Sequence, residues 1–293
     1  MSMQEFSDNL STLSYMSRHR IPSWLYDSKS KALFGRTGKS WVLCLLFYAT
    51  YYACLAAFFT GLLWLVLYFN VPEDHPARTG KQSLLDFKPG LGLRPTVEVQ
   101  KSMIKFSTGD PQTYFPHVDN IDAFLQTYKD VNAKPDSQFA SCKGKDADTK
   151  DVDKVCKFSL ENLGPCNNKN SYGYSKGTPC VLLKLNKVYG WMPSPEDSSV
   201  SNDILVNCSG QNPADDENIG PVAYYPNKTV KGITYGVFSN AYYPYLGQSG
   251  YLAPVVAAEF KNPKRHVAIL VRCVLYNVKN ANKDDLNFEI MVD

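Results

Sequence analysis

The chain has 293 residues, 44 % of them hydrophobic and 20 % charged, with a formal net charge of +3 at pH 7. That length holds one or two domains, and so slight a basic excess excludes an electrostatic footprint for nucleic acid. The apolar content is ordinary for a water-soluble protein, but it is distributed very unevenly.

Residues 1–40 are polar, with Ser, Arg and Lys predominating, and read as a mostly flexible tail. From Trp41 to Phe69 there is no charged residue. A bilayer core takes about 20 apolar residues in a helix, so residues 41–69 are long enough to span it with some tilt. A core helix of a soluble protein rarely stays apolar all round for so long. The run also starts too late and is too long for a cleaved leader. An uncleaved signal anchor is expected. Arg18, Arg20, Lys29, Lys31, Arg36 and Lys39 precede the span. This basic excess puts the amino side in the cytosol and the carboxyl side outside the plasma membrane, a single-pass type II arrangement.

Residues 70–95 are rich in Pro and Gly and read as a stalk without regular structure. Residues 96–293 then show period-2 patterns rich in Val, Ile, Tyr and Phe, over Val97–Phe106, Val181–Trp191, His266–Val278 and Asn287–Val292. Turn residues separate them, which predicts an antiparallel β-sandwich. One segment differs: Asp119-Asn120 is a candidate cap for a helix with Ile121, Phe124, Leu125 and Tyr128 on one face.

Cys44 and Cys54 lie inside the span and are expected to stay free. Cys142, Cys156, Cys166, Cys180, Cys208 and Cys273 all follow it. Six thiols in an oxidising compartment form a disulfide framework, with 15 pairings open. A zinc site is excluded by spacing, since no pair is C-x2-4-C and the four histidines are scattered. Between Ser141 and Cys180, cysteine-stapled loops are expected. Sequons at Asn207-Cys208-Ser209 and Asn227-Lys228-Thr229 predict glycans on the outer side. Asn9-Leu10-Ser11 fits the triplet but lies in the cytosolic tail.

Three short matches point toward catalysis and fail on context. Arg36-Thr37-Gly38-Lys39-Ser40 resembles the end of a P-loop, but Leu33 stands where its first Gly belongs. Gly173-Tyr174-Ser175-Lys176-Gly177 fits a nucleophile elbow without the flanking strand and helix. Asp146-Ala147-Asp148 and Asp151-Val152-Asp153 resemble the D-x-D of membrane glycosyltransferases, but interleaved lysines neutralise them and no βαβ unit accompanies them. A type II glycosyltransferase and an adhesion or lectin module are the competing classes.

Several motifs carry a resemblance over nearly the whole chain. They are Arg36-Thr37-Gly38-Lys39-Ser40-Trp41, Phe47-Tyr48-Ala49-Thr50-Tyr51-Tyr52 and Gly90-Leu91-Gly92-Leu93-Arg94-Pro95. Further on come Pro179-Cys180-Val181-Leu182-Leu183-Lys184-Leu185-Asn186-Lys187 with Gly190-Trp191, and Tyr242-Tyr243-Pro244-Tyr245. The chain resembles the β subunits of the sodium/potassium pump and of the related gastric proton/potassium pump. Leu246 stands where that family usually has a second aromatic residue.

The resemblance implies an immunoglobulin-like antiparallel sandwich with an inserted helix, no catalytic residue, no metal and no cofactor. It implies that the chain holds the catalytic α subunit of a P-type ATPase, sodium exchange being favoured over proton exchange. It further implies help in folding, membrane delivery and stability of that subunit, and tuning of potassium occlusion. The outer cysteines would pair in order, Cys142–Cys156, Cys166–Cys180 and Cys208–Cys273. Contacts are expected from Phe47, Tyr48, Tyr51 and Tyr52 in the span and from Tyr242, Tyr243 and Tyr245 outside it.

At 100° per residue, Ala53, Ala57 and Gly61 form one stripe of the span, and Tyr48 with Tyr52 a second, roughly 160° away. Small residues let a neighbouring backbone approach, and a tyrosine hydroxyl in hydrocarbon needs a partner. Two partners are therefore expected besides lipid: an α-subunit helix on the tyrosines, and a second helix on the small stripe. The second helix belongs either to the same subunit or to a small single-span accessory subunit.

Overall fold

The computed structural model describes residues 26–27, 32–98, 102–135, 139–140, 155–199 and 201–293. The chain falls into two compact units, one through Pro72 and one over Glu73–Asp293.

The first unit has a small antiparallel ladder of two-residue strands, β1 (Tyr26–Asp27), β2 (Ala32–Leu33) and β3 (Arg36–Thr37). Phe34 and Gly35 join β2 to β3 with φ of 51° and 74°, the two positive values that a tight hairpin turn requires. So part of the stretch read as a flexible tail is a hairpin. Helix α1 (Gly38–Asn70) follows, starting before Trp41. None of its side chains is buried, and it is long and apolar enough to cross a membrane. Its 33 residues rise about 50 Å against a hydrocarbon core of roughly 30 Å, so its ends extend past the core. Thr50 and Thr60 donate their hydroxyls to the carbonyls of Leu46 (2.7 Å) and Ala56 (2.8 Å), which satisfies these polar groups inside the helix. The helix stops where Pro72 forces Val71 into an extended conformation.

The second unit is built on two sheets. One has the order β5-β13-β12-β7-β10-β9, with β5 (Met103–Phe106), β7 (Ile204–Gly210), β9 (Asn227–Val230), β10 (Ile233–Phe238), β12 (Ala268–Tyr276) and β13 (Leu286–Val292). The other has the order β4-β6-β11-β8, with β4 (Leu91–Arg94), β6 (Cys180–Leu185), β8 (Val222–Tyr225) and β11 (Val255–Phe260). Alternation explains β12, where Ile269, Val271 and Cys273 are buried between outward neighbours. The expectation of a wholly antiparallel arrangement is corrected at one place: β5 runs parallel to β13. Period-2 patterning reports which face of a strand is buried, not which way its neighbour runs.

Two further expectations change. Helix α2 (Pro111–Asn132) starts well before Asp119-Asn120. Asp110 is its cap, accepting from Gln112 N–H at 3.0 Å, and Pro111 opens the first turn. Asn120 instead clamps Thr96, donating to its carbonyl at 3.0 Å and accepting from its N–H at 2.9 Å. Tyr114, Val118, Ile121, Leu125, Tyr128 and Val131 form the buried face, and Phe124 is half-buried. The stretch read as an irregular stalk contains a short 3-10 turn (Gly80–Gln82) and strand β4, whose Leu91 and Leu93 pack against the core.

Cys166 is bonded to Cys180, and Cys208 to Cys273 across the β7–β12 register. Cys156 is also disulfide-bonded, and its expected partner Cys142 lies outside the described residues. Cys44 and Cys54 are free. The segment Cys166 precedes is a kinked 3-10 stretch, Asn168–Lys176.

Both sheets and α2 contribute to one hydrophobic core. Gly236 of β10 lies close against the other sheet. A Cβ there would lie 2.6 Å from Val256 Cγ1 and 2.8 Å from Val206 Cγ1. Gly236→Ala should lower stability by about 1–3 kcal/mol through overpacking, read as a lower thermal midpoint in detergent. An unchanged midpoint would mean that the sheets can part at no cost.

Tyr224 adds a pH dependence. Its hydroxyl accepts from Cys208 N–H at 2.7 Å and donates to Asn207 Oδ1 at 2.9 Å. Burial pushes this hydroxyl from 10.0 up to about 12, against the opposing pull of the Cys208 hydrogen bond. The folded state holds the proton more tightly than the unfolded chain does. Its contribution is therefore complete below pH 10.0 and is lost as pH rises through about 12. Near-UV circular dichroism over that range should show cooperative alkaline unfolding, less steep in Tyr224→Phe. Equal slopes would remove Tyr224 from the cause.

Candidate functional site

Two of the motifs with catalytic chemistry fall among the described residues. Gly173 has φ of 79°, and a Cβ there would sit 2.0 Å from the Thr178 carbonyl oxygen, so close backbone approach accounts for this glycine. Tyr174 beside it is fully buried, and Ser175 directs its hydroxyl at the Asn170 carbonyl. Arg36-Thr37-Gly38-Lys39-Ser40 runs from β3 into the first turn of α1. The two D-x-D triplets lie outside the described residues. Among the described residues, no three His, Cys, Asp or Glu side chains group as metal ligands.

What the chain does present is apolar surface. On α1, Phe47 stacks on Tyr51 (6.4 Å) and Tyr48 on Tyr52 (6.2 Å), one helical turn apart in each pair. Edge contacts Phe47–Tyr48 (5.5 Å) and Tyr51–Tyr52 (5.4 Å) join the pairs into one four-ring patch. The patch is thus broader than the Tyr48/Tyr52 stripe. On another face lie Ala53, Ala57 and Gly61, and a Cβ on Gly61 would meet nothing within 4 Å. A second aromatic group, Trp64, Tyr68 and Phe69, lies near the carboxyl end of α1.

In the second unit the Tyr242–Tyr245 segment belongs to an aromatic shelf. Tyr243 is 5 % exposed, and its ring meets the edge of Trp191 at 5.3 Å. Trp191 is held by donating its indole N–H to the Asn280 carbonyl at 3.0 Å. Tyr243 is therefore packed inside the unit as an internal prop. Tyr242 is half-buried against Phe158 (5.9 Å). Tyr245 is half-exposed. It packs on Tyr251 (4.9 Å) and Tyr189 (6.2 Å), and Gly190 N–H donates to its carbonyl at 2.8 Å. Lys187 Nζ lies 5.4 Å from the ring centres of both Tyr245 and Tyr251. Burial raises the hydroxyls of Tyr128, Tyr242, Tyr243 and Tyr251 above the usual tyrosine value. Tyr251, Tyr189 and Phe158 carried no sequence signal, because only the tertiary fold brings them to Tyr245 and Tyr242.

The two sequons differ. Asn227 is exposed at the start of the edge strand β9. Asn207 is half-buried in β7, between β12 and β10, with its Oδ1 bound by Tyr224.

These aromatic surfaces are suited to packing. Tyr243→Ala should cost about 3 kcal/mol as a buried large-to-small change, whereas Tyr245→Ala should cost about 1 kcal/mol or less. Thermal unfolding of the two variants measures the contrast, and equal losses would refute the division between prop and surface.

Comparison with known proteins adds an independent line. A family model described as "Sodium / potassium ATPase beta chain" matches residues 14–292. The chain is 32 % identical to sodium/potassium-transporting ATPase subunit beta-2 of Drosophila melanogaster, over 93 % of this chain and 92 % of the relative. It is 31 % identical to subunit beta-1 of the same organism, over 92 % and 91 %. With subunit beta-2 of Homo sapiens it shares 29 % identity over 89 % and 87 %.

Proposed function

The chain belongs to the sodium/potassium ATPase beta chain family, and on that premise we propose that it is the non-catalytic subunit of a P-type sodium/potassium pump. The family match over residues 14–292 carries this reading. Its role is to bind the catalytic α subunit, to support that subunit's folding, delivery and stability, and to tune potassium occlusion. A multi-span partner with polar groups in its membrane helices needs neighbours that bury them, and α1 supplies a helix with an aromatic and a small-residue face.

In this reading residues 1–40 are cytosolic, 41–69 span the plasma membrane, 70–95 lead away from it and 96–293 form the extracellular domain. The basic excess before the span supports that orientation. The two sheets, their shared core and α2 support the description as an immunoglobulin-like sandwich with an inserted helix. Cys142 pairs with Cys156, and Asn207 and Asn227 carry glycans. A glycan on Asn227 would shield an edge strand from pairing with another chain.

The α subunit packs on Phe47, Tyr48, Tyr51 and Tyr52 in the membrane and on Tyr242 and Tyr245 outside it. Ala53, Ala57 and Gly61 receive a second helix, from the same subunit or from a small single-span accessory protein. A mild-detergent pull-down from native membrane with mass spectrometry should recover a P-type ATPase α subunit. Ala57→Leu and Tyr52→Leu should each weaken that recovery or shift the potassium dependence of ATP hydrolysis, while Leu62→Ile stays near wild type. Normal recovery and unchanged potassium dependence in both disruptive variants would reduce the span to an anchor.

A further inference from the structure

Among the described residues of the second unit, the most exposed large apolar side chains are neighbours. Leu84 is 100 % exposed, and Leu85 and Phe87 are each 68 % exposed; no other large apolar side chain among the described residues of this unit exceeds 52 %. All three sit just after the Gly80–Gln82 turn, and Leu84 comes fourteen residues after Asn70, where α1 ends. At about 3.3–3.6 Å per residue, so short a tether keeps the loop within reach of the bilayer surface and at high effective concentration there.

Beside the loop lies a groove of about 390 Å³, of which Phe87 forms a shared wall. Its lining includes three cations, Arg78, Lys88 and Lys187, together with Thr79, Ser83 and Asn186, and no carboxylate. None of the three cations pairs with a carboxylate among the described residues. Asp86, between Leu85 and Phe87, is exposed and outside the groove wall. An apolar tip next to a basic pocket that has hydroxyl and amide donors and no carboxylate in its lining matches the two halves of one amphiphile, acyl chain and phosphate.

We propose that this loop is a lipid-docking surface: Leu84, Leu85 and Phe87 enter the interfacial layer of the membrane that α1 crosses, and the Arg78/Lys88/Lys187 groove holds a phospholipid headgroup phosphate. The proposal rests on the membrane span and not on the pump assignment. The segment Glu73–Lys88 carries three acidic and three basic side chains, so the loop fits a zwitterionic surface and needs no anionic lipid.

Photocrosslinking of the full chain in its native membrane tests this. Leu84→p-benzoylphenylalanine and Phe87→p-benzoylphenylalanine should yield adducts carrying the mass of a phospholipid. Ile233→p-benzoylphenylalanine, the exposed control, should yield none. Combining Leu84→p-benzoylphenylalanine with Arg78→Gln and Lys88→Gln should lower the lipid adduct several-fold. Adducts to another polypeptide at positions 84 and 87, or a lipid yield no higher than at 233, would overturn the proposal. An unchanged yield in the glutamine variant would overturn its headgroup half. Lipid adducts are scored whether or not a pump subunit copurifies, so the two readings fail separately.

Discussion

Strands β6 and β11 lie side by side in the four-stranded sheet, and nearly every side chain along them is out of water. A strand buried on both faces needs a layer on each side. One face meets the six-stranded sheet, where Val256 of β11 approaches Gly236 of β10. The other is covered by α2 and the 3-10 segments. Lys184 of β6 places its Nζ 5.2 Å from the ring centre of Phe124 on α2, and Cys180, on the same face by period two, is bonded to Cys166. Burial depresses the Lys184 ammonium, with Arg94 and Lys187 as like-charged neighbours.

This double burial sets the rest of the second unit. It forces β4 to complete the sheet edge, which is why a Gly-rich segment becomes a strand. It also makes α2 long, since Tyr114 at one end and Val131 at the other both serve the core. Some of the buried hydroxyls are then matched by groups far along the chain. Tyr128 donates to the Ala253 carbonyl at 2.8 Å, and Tyr172 to Asp122 at 2.8 Å, where Lys129 also bonds at 2.9 Å. Asn168 adds a further hydrogen bond to the same carboxylate. Such networks tie the 3-10 stretch Asn168–Lys176 to α2.

The membrane helix obeys a different rule. With no water to satisfy it, its backbone and its two threonines bond internally. Its surface distinctions are therefore of shape and aromatic content rather than charge. Both units thus expose aromatic and apolar faces suited to packing.

The span, its charge asymmetry, the buried faces of β12, β13 and α2, and the cysteine and sequon inventory were legible in the sequence, because each depends on local spacing or composition. Four features were decided only in three dimensions. β5 pairs parallel to β13 because the last strand returns to the first edge of its sheet, a long-range event that leaves no local pattern. The start of α2 at Asp110-Pro111 was written in the chain, but competed with an equally good cap at Asn120, which the fold uses on Thr96 instead. Tyr243 turned inward, while Tyr245, two residues on, stayed half-exposed, because Trp191 arrives from a distant segment to cover only the first. Finally, Leu84, Leu85 and Phe87 lie in the Pro- and Gly-rich stretch after the span, and only burial elsewhere left them as the most exposed large apolar side chains among the described residues of their unit. In each case local spacing sets what a residue can bury, and the long-range return of the chain decides what buries it.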